Sequence, residues 1–206
     1  MKKLTEIGQK YGTDKATYHF FTEVYDDIFQ QYENPRILEI GVAQYKSIAM
    51  YLEYFKNPYI VAMDINDKPQ YVNEQWKFVQ GDQTLISDLS KCIEGEELFD
   101  IVLDDGGHTM KQQQVTFGYL IDYVKSGGYY ILEDLHTSFV KDYIEADCEF
   151  SSYEMLEKIE KKIVPFSNYI DNIQQEHLLT KIETIDIFAK DPNNLGDSVT
   201  AILKIK

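Results

Sequence analysis

Two apolar runs in this chain each stop at a pair of adjacent carboxylates. Leu98-Phe99-Asp100-Ile101-Val102-Leu103 leads into Asp104-Asp105, and Tyr129-Tyr130-Ile131-Leu132 leads into Glu133-Asp134. Such runs suit strands buried on both faces, as in a parallel sheet. About twenty residues lie between them, room for one crossover helix and its turns. In one parallel sheet the four acids converge at the carboxyl edge, where open α/β sheets bind ligands. Four like charges placed together call for a cation or for raised pKa values.

The stretch before these runs supplies the rest of such a sheet. Leu4 and Ile7 mark a short helix, Tyr11-Gly12-Thr13-Asp14-Lys15 reads as a turn, and the apolar spacing predicts a helix over 16–30. Strands follow at 36–40, 58–64 and 77–80, with helices at 44–56, around 70–76 and at 84–92. The fourth strand, 98–104, is followed by a helix at 109–124. A Gly127-Gly128 turn then leads into the fifth strand at 129–133. Residues 151–179 carry apolar positions at threes and fours, one or two amphipathic helices with a break at Pro165. Strands at 182–188 and 199–205 have no room for a helix between them and close the sheet as an antiparallel hairpin. The expected fold is therefore α/β: a Rossmann-like, doubly wound, mainly parallel seven-stranded sheet with a C-terminal antiparallel hairpin. One domain spans 1–206, with 1–34 as an N-terminal helical cover and 141–180 as a helical insertion before the hairpin. That insertion fits three uses: a cover for an acceptor site, a subunit contact, or ordinary packing on the sheet.

Charge and composition narrow the function. With 35 acidic against 20 basic residues the net charge is -15, which argues against a nucleic-acid partner. No run reaches the ~20 apolar residues of a membrane span, and the start leads straight into polar sequence, so no membrane insertion and no secretory signal are expected. Cys92 and Cys148 are far apart and read as free thiols, consistent with a cytoplasmic, reducing location.

The turn after the first strand is the next clue. Leu38-Glu39-Ile40-Gly41 before a helix lets the backbone approach a ligand at Gly41. Asp64, ending the second strand, is placed to accept from ribose hydroxyls. Asp82, after the third, is placed to orient the base. Val42-Ala43-Gln44-Tyr45-Lys46 offers no second glycine for a pyrophosphate, so a nucleoside without one fits better than a dinucleotide.

Taken together, Tyr11-Gly12-Thr13-Asp14-Lys15, Leu38-Glu39-Ile40-Gly41-Val42, Met63-Asp64-Ile65, Gly81-Asp82-Gln83, Asp104-Asp105-Gly106-Gly107-His108 and Glu133-Asp134-Leu135-His136-Thr137-Ser138 resemble the class I S-adenosylmethionine-dependent methyltransferases. More narrowly, the chain resembles the macrocin and mycinamicin sugar O-methyltransferases and the related cephalosporin-hydroxylase-like group. The resemblance implies S-adenosyl-L-methionine held by Glu39, Gly41, Asp64 and Asp82, with Tyr11 and Asp14 in a turn over the same pocket. It implies Mg2+ held by Asp105, Glu133 and Asp134, and His108 as general base. It implies methylation of a hydroxyl on a sugar or glycosylated small molecule, and a homo-oligomer as a possible assembly. The chain departs from the family at three places: Ala43 and Tyr45 where further glycines are usual, Gln112 where a second histidine is frequent, and Gly107 where a serine is usual.

The residues themselves leave alternatives open. His108 fits a base near neutrality, a local hydrogen-bonding or capping group, or a metal ligand. The acid cluster fits a metal, or helix capping by Asp105 and Asp134 with Asp104 and Glu133 facing solvent. His136 fits a role near the acceptor or a packed loop position, and His19, in an aromatic stretch, fits a cover over the cofactor but reads better as a core-edge residue. Methylation of a non-sugar diol and a binding domain without turnover are the rival functions.

Overall fold

Alternating β-forming and amphipathic segments produce the expected layers. The computed structural model describes residues 2–67, 74–164 and 167–206. In chain order the helices and strands are α1 (Lys3–Tyr11), α2 (Asp14–Thr17), α3 (Thr22–Phe29), β1 (Arg36–Ile40), α4 (Lys46–Tyr54), β2 (Tyr59–Asp64), β3 (Trp76–Gln80) and α5 (Ile86–Ile93). Then come β4 (Phe99–Asp104), α6 (Met110–Leu120), β5 (Val124–Leu132), α7 (Ser152–Glu160), α8 (Asn172–Lys181), β6 (Ile182–Ala189) and β7 (Val199–Ile205).

The sheet runs β3-β2-β1-β4-β5-β7-β6. The first five strands pair in parallel, and β7 is antiparallel to both β5 and β6. Strand order reverses beside β1, which makes the β1/β4 boundary the switch point where such sheets open a crevice. The register levels the strand ends: Ile40 lies opposite both Met63 and Asp104, and Asp104 opposite Leu132. Gly41, Asp64, Asp105 and Glu133 therefore leave the sheet side by side.

Alternation along the strands divides the core between two faces. Leu38, Val61, Val102 and Tyr130 pack with Phe117, Leu120, Met155, Leu156 and Leu178 on one side. Ile37, Ile60, Ile101 and Ile131 pack with Leu4, Tyr25, Phe29, Met50 and Tyr51 on the other. The N-terminal helices thus cover one face, and α7 and α8 join the core of the opposite face. Among the described residues no helix is long and apolar enough to cross a membrane.

Three local expectations change. The helix over 16–30 is interrupted at 18–21, where Phe20 takes φ 61 and His19 stacks on Phe21 with ring centroids 5.0 Å apart. Sequence spacing does not reveal this break, because Phe20 and Val24 still fit a helical period. The helix over 109–124 ends at Leu120 and gives way to one 3-10 turn, Ile121–Tyr123. The Gly127-Gly128 turn lies inside β5, which begins at Val124, and forms a bulge: pairing jumps from Phe99–Val124 to Ile101–Tyr129. The short helix expected around 70–76 falls largely on 68–73 and the break at Pro165 on 165–166, all outside the described residues; Trp76 is already in β3.

Candidate active site

The ends of β1 to β4 open onto a cavity of about 730 Å³. Gly41, Asp64, Asp82 and Asp14 line it, together with Asp105, His108 and Asp134. Gly41 has φ 82, and a Cβ there would stand 2.0 Å from the carbonyl oxygen of Asp105. Only glycine lets the turn after β1 lie against the turn after β4. Ala43 and Tyr45 take φ 37 and 60. The turn adopts these left-handed conformations although side chains are present, at a cost of roughly 1 kcal/mol per residue.

Asp64 braces that turn. Its Oδ2 accepts from the Val42 and Ala43 amides at 3.2 and 3.1 Å, and its Oδ1 from Asn66 N and Nδ2 at 2.9 and 3.1 Å. Asp82 accepts from Thr84 N and Oγ1 through Oδ1, both at 2.8 Å. Asp14 accepts from the Lys15 amide at 3.0 Å. Two residues expected at the cofactor do not form the cavity wall. Glu39 is fully buried beneath it, with Oε2 accepting from Ser47 Oγ at 2.8 Å. Tyr11 is turned outward, donating to Glu53 Oε2 at 2.6 Å, because the left-handed Gly12 that ends α1 reverses the chain between it and Thr13.

At the acid edge His108 and the carboxylates meet. His108 Nε2 lies 3.3 Å from Asp134 Oδ2 and 3.8 Å from Asp105 Oδ1. One atom from each of these residues lies within 4.8 Å of the others. His108 and Asp134 both have left-handed backbones, φ 62 and 55, which turn their side chains toward one another after the strands end. Thr137 Oγ1 holds the His108 carbonyl at 2.8 Å.

Glu133, expected with Asp105 and Asp134, lies beside this trio. It is buried, and its Oε1 accepts from Tyr25 Oη at 2.9 Å and from Lys15 Nζ at 3.0 Å. Asp104 does not face solvent: it is 1% exposed, with Oδ1 accepting from Gln83 Nε2 at 3.0 Å and Oδ2 without a donor. Helix capping is not the role of Asp105 either, since Thr109 caps α6 in a reciprocal box with Gln112, and Asp134, at the start of the 3-10 turn Leu135–Phe139, makes no side-chain capping bond.

The electrostatics follow from burial. Desolvation raises Asp105 and, further, Glu133, although the Lys15 charge opposes it in both. Desolvation also brings Glu39 up to about 7 and Asp104 up to about 8. Burial pulls His136 below its ordinary value, against the charge of Asp134. For Lys15, burial alone would lower the ammonium, but Asp105, Glu133 and Glu39 outweigh it and hold the group well above its usual range.

This surplus of carboxylate over ammonium fits a divalent cation, as does the donor set of hard oxygens with an imidazole. Asp134 Oδ1 is buried with no hydrogen-bond donor, and His19 Nδ1 and His136 Nδ1 stand 3.7 and 3.6 Å from it. An oxygen left in that state is costly unless a cation or water joins it.

Sequence reasoning missed three residues of the site. Lys15 lies in a stretch that reads as a turn, and only its place in the Tyr11-Lys15 motif signals more. His19 reaches the site because the break at 18–21 carries it to Ser198 Oγ, 2.8 Å from Nδ1. Gln83 bonds Asp104, Thr116 Oγ1 at 3.0 Å and the Gly107 amide at 2.8 Å, and so fixes the loop that presents Asp105 and His108.

Comparison with known proteins agrees with this geometry. No family model matches the chain. Over 146 residues it is 35% identical to the mycinamicin VI 2''-O-methyltransferase of Micromonospora griseorubida, covering 66% of this chain and 37% of that protein. Over 146 residues it is 34% identical to the demethylmacrocin O-methyltransferase of Streptomyces fradiae, with the same two coverages, 66% and 37%. Among solved structures it is similar to the MycE methyltransferase of the mycinamycin biosynthetic pathway in complex with Mg, SAH and mycinamycin VI. The TM-score is 0.80 at 27% identity, over 98% of this chain and 54% of that one. The chain spans 37% of the length of these curated relatives and about half of the solved one. The chain has the class I S-adenosylmethionine-dependent methyltransferase fold and is related to the macrocin and mycinamicin O-methyltransferase family.

Proposed function

We propose that the chain is an S-adenosylmethionine-dependent, Mg2+-assisted O-methyltransferase acting on a hydroxyl of a sugar or glycosylated small molecule. The observation that carries the reading is one cavity that joins the Gly41 turn, Asp64 and Asp82 to the Asp105–His108–Asp134 cluster. A methyl donor and an acid-base site thereby share one chamber. The similarity to MycE, whose complex holds Mg, SAH and mycinamycin VI, supports the choice of cofactors and of a glycosylated acceptor.

An alcohol is a poor nucleophile until its proton is removed or its acidity raised. Asp105 and Asp134 are the carboxylates that would hold Mg2+, with Glu133 beside them; a hard cation there supplies Lewis acidity toward an acceptor hydroxyl. His108 takes the hydroxyl proton on Nε2. S-adenosylmethionine, held along the Gly41 turn, Asp64 and Asp82, would supply an electrophilic methyl group to the acceptor oxygen, its sulfur keeping the electron pair of the carbon–sulfur bond. Asp105 and Asp134 face the imidazolium so formed and stabilise it. Asp82, with Oδ1 on Thr84, and the Gly41 backbone orient the nucleoside.

The test is turnover with labelled S-adenosylmethionine on a panel of glycosylated macrolides and simple catechols. Transfer to a glycosyl hydroxyl, abolished by EDTA and restored by Mg2+, is expected. His108→Ala is expected to lower kcat by on the order of 10²–10⁴-fold, with S-adenosylhomocysteine affinity kept. Transfer that survives chelation would remove the metal from the reaction. Transfer to catechols alone would overturn the sugar assignment. Tight S-adenosylhomocysteine binding with no transfer to any acceptor would leave a binding domain.

A further inference from the structure

Among the described residues Lys15 is the only lysine or arginine whose side chain is buried, at 1% exposure. It enters from α2, and its Nζ meets carboxylates from the ends of three neighbouring strands. These are Asp105 Oδ2 after β4, Glu133 Oε1 after β5 at 3.0 Å, and Glu39 Oε1 in β1 at 3.6 Å. Tyr25 Oη shares Glu133 Oε1, so that carboxylate is gripped from two sides. The grip on Asp105 is one-sided: Oδ2 is on the ammonium, while Oδ1 faces His108 Nε2.

A carboxylate divided in this way donates less charge to a cation on its other oxygen, and a fixed positive charge behind it repels that cation. Both effects weaken the site's hold on a divalent ion and leave the ion more electrophilic. Without Lys15, buried Glu133 and Glu39 and half-buried Asp105 would be mutually repelling acids with no fixed counter-ion.

We propose that Lys15 is a positioning residue of the acid edge: it orients Asp105 and Glu133 and, by sharing their charge, keeps the divalent-cation site weak and electrophilic. The inference rests on the Mg2+-assisted reading above.

The test is Mn2+ binding measured by electron paramagnetic resonance on the whole chain, for the unaltered protein and for Lys15→Met, Lys15→Gln and Lys15→Arg. S-adenosylhomocysteine affinity and thermal melting are followed in parallel. Lys15→Gln keeps a hydrogen-bonding group, so the test stands where Lys15→Met does not fold. Loss of the charge in Lys15→Met or Lys15→Gln is expected to tighten Mn2+ binding at least tenfold while kcat falls, and Lys15→Arg is expected to keep near-normal Mn2+ affinity. A merely structural role predicts the opposite, weaker Mn2+ binding together with a lower melting temperature. Unchanged or weaker Mn2+ binding in a neutral variant would overturn the proposal. Absence of Mn2+ binding by the unaltered protein would overturn the metal reading itself, and this inference with it.

Discussion

Asp104 points into the buried interior of the sheet edge, with Gln83 on one oxygen and no donor on the other. Asp105, the next residue, leaves the strand toward the cavity. The alternation of a strand sends two identical side chains to different fates. For Asp104 the consequence is a pH dependence whose sign is set. Its folded-state pKa is raised to about 8 by desolvation, above the unfolded value of about 3.9. The folded chain therefore holds a proton that the unfolded chain has released. Stability falls as pH rises from about 4 to about 8 and levels off beyond. Asp104→Asn removes this contribution, so its melting temperature changes less between pH 5 and pH 8 than that of the unaltered protein, and it is the more stable of the two at pH 8. Scanning calorimetry at the two pH values checks this; equal pH dependence in the two proteins would count against a protonated Asp104.

At the scale of elements, the start of α6 shows that two departures from the family pattern are one structural change. Gln112 Oε1 accepts from the Thr109 amide at 3.1 Å, which closes the capping box, and its side chain then lies over Gly107. A Cβ at position 107 would stand 2.2 Å from Gln112 Nε2. Gly107→Ser alone therefore displaces Gln112 from its cap, a loss of about 1 kcal/mol, or roughly 2–4 °C in melting temperature for a domain of this size. The pair Gly107→Ser with Gln112→His is expected to recover part of that loss, because the long amide is gone. Melting of both singles and the double measures the coupling; strictly additive effects would refute it. Strand ends and the acid pairs were legible in the sequence because each follows from local backbone chemistry, whereas the α6 cap fell to Thr109 and not to the acids read as candidates for it. The break at 18–21 and the bulge in β5 were not, since each depends on residues distant in sequence: Ser198 for His19 and the β4 backbone for Gly128.

For the whole molecule, the sheet edge gathers β1 through β5 and the α2 turn around one cavity, so a ligand there braces segments far apart in the chain. S-adenosylhomocysteine at 100 times its Kd is expected to stabilise the fold by about 2.7 kcal/mol, a rise of about 5–10 °C in melting temperature. Differential scanning fluorimetry reads it, and no shift at saturating ligand would contradict the cofactor assignment.

Sequence alone determined the α/β layering, the parallel strands and the hairpin, because hydrophobic periodicity and turn residues act over a few positions and are written into each segment. It also determined that Asp104, Asp105, Glu133 and Asp134 end neighbouring strands. Only the tertiary structure decided how those acids differ. Asp104 is buried against Gln83, Glu133 is held by Lys15 and Tyr25, and Asp105 and Asp134 face His108. The reason is that charge, desolvation and ion pairing are set by what surrounds a group in space. Here those surroundings come from α2, α3, the loop after β3 and the loop before α6, whose distances along the chain carry no sign of the encounter.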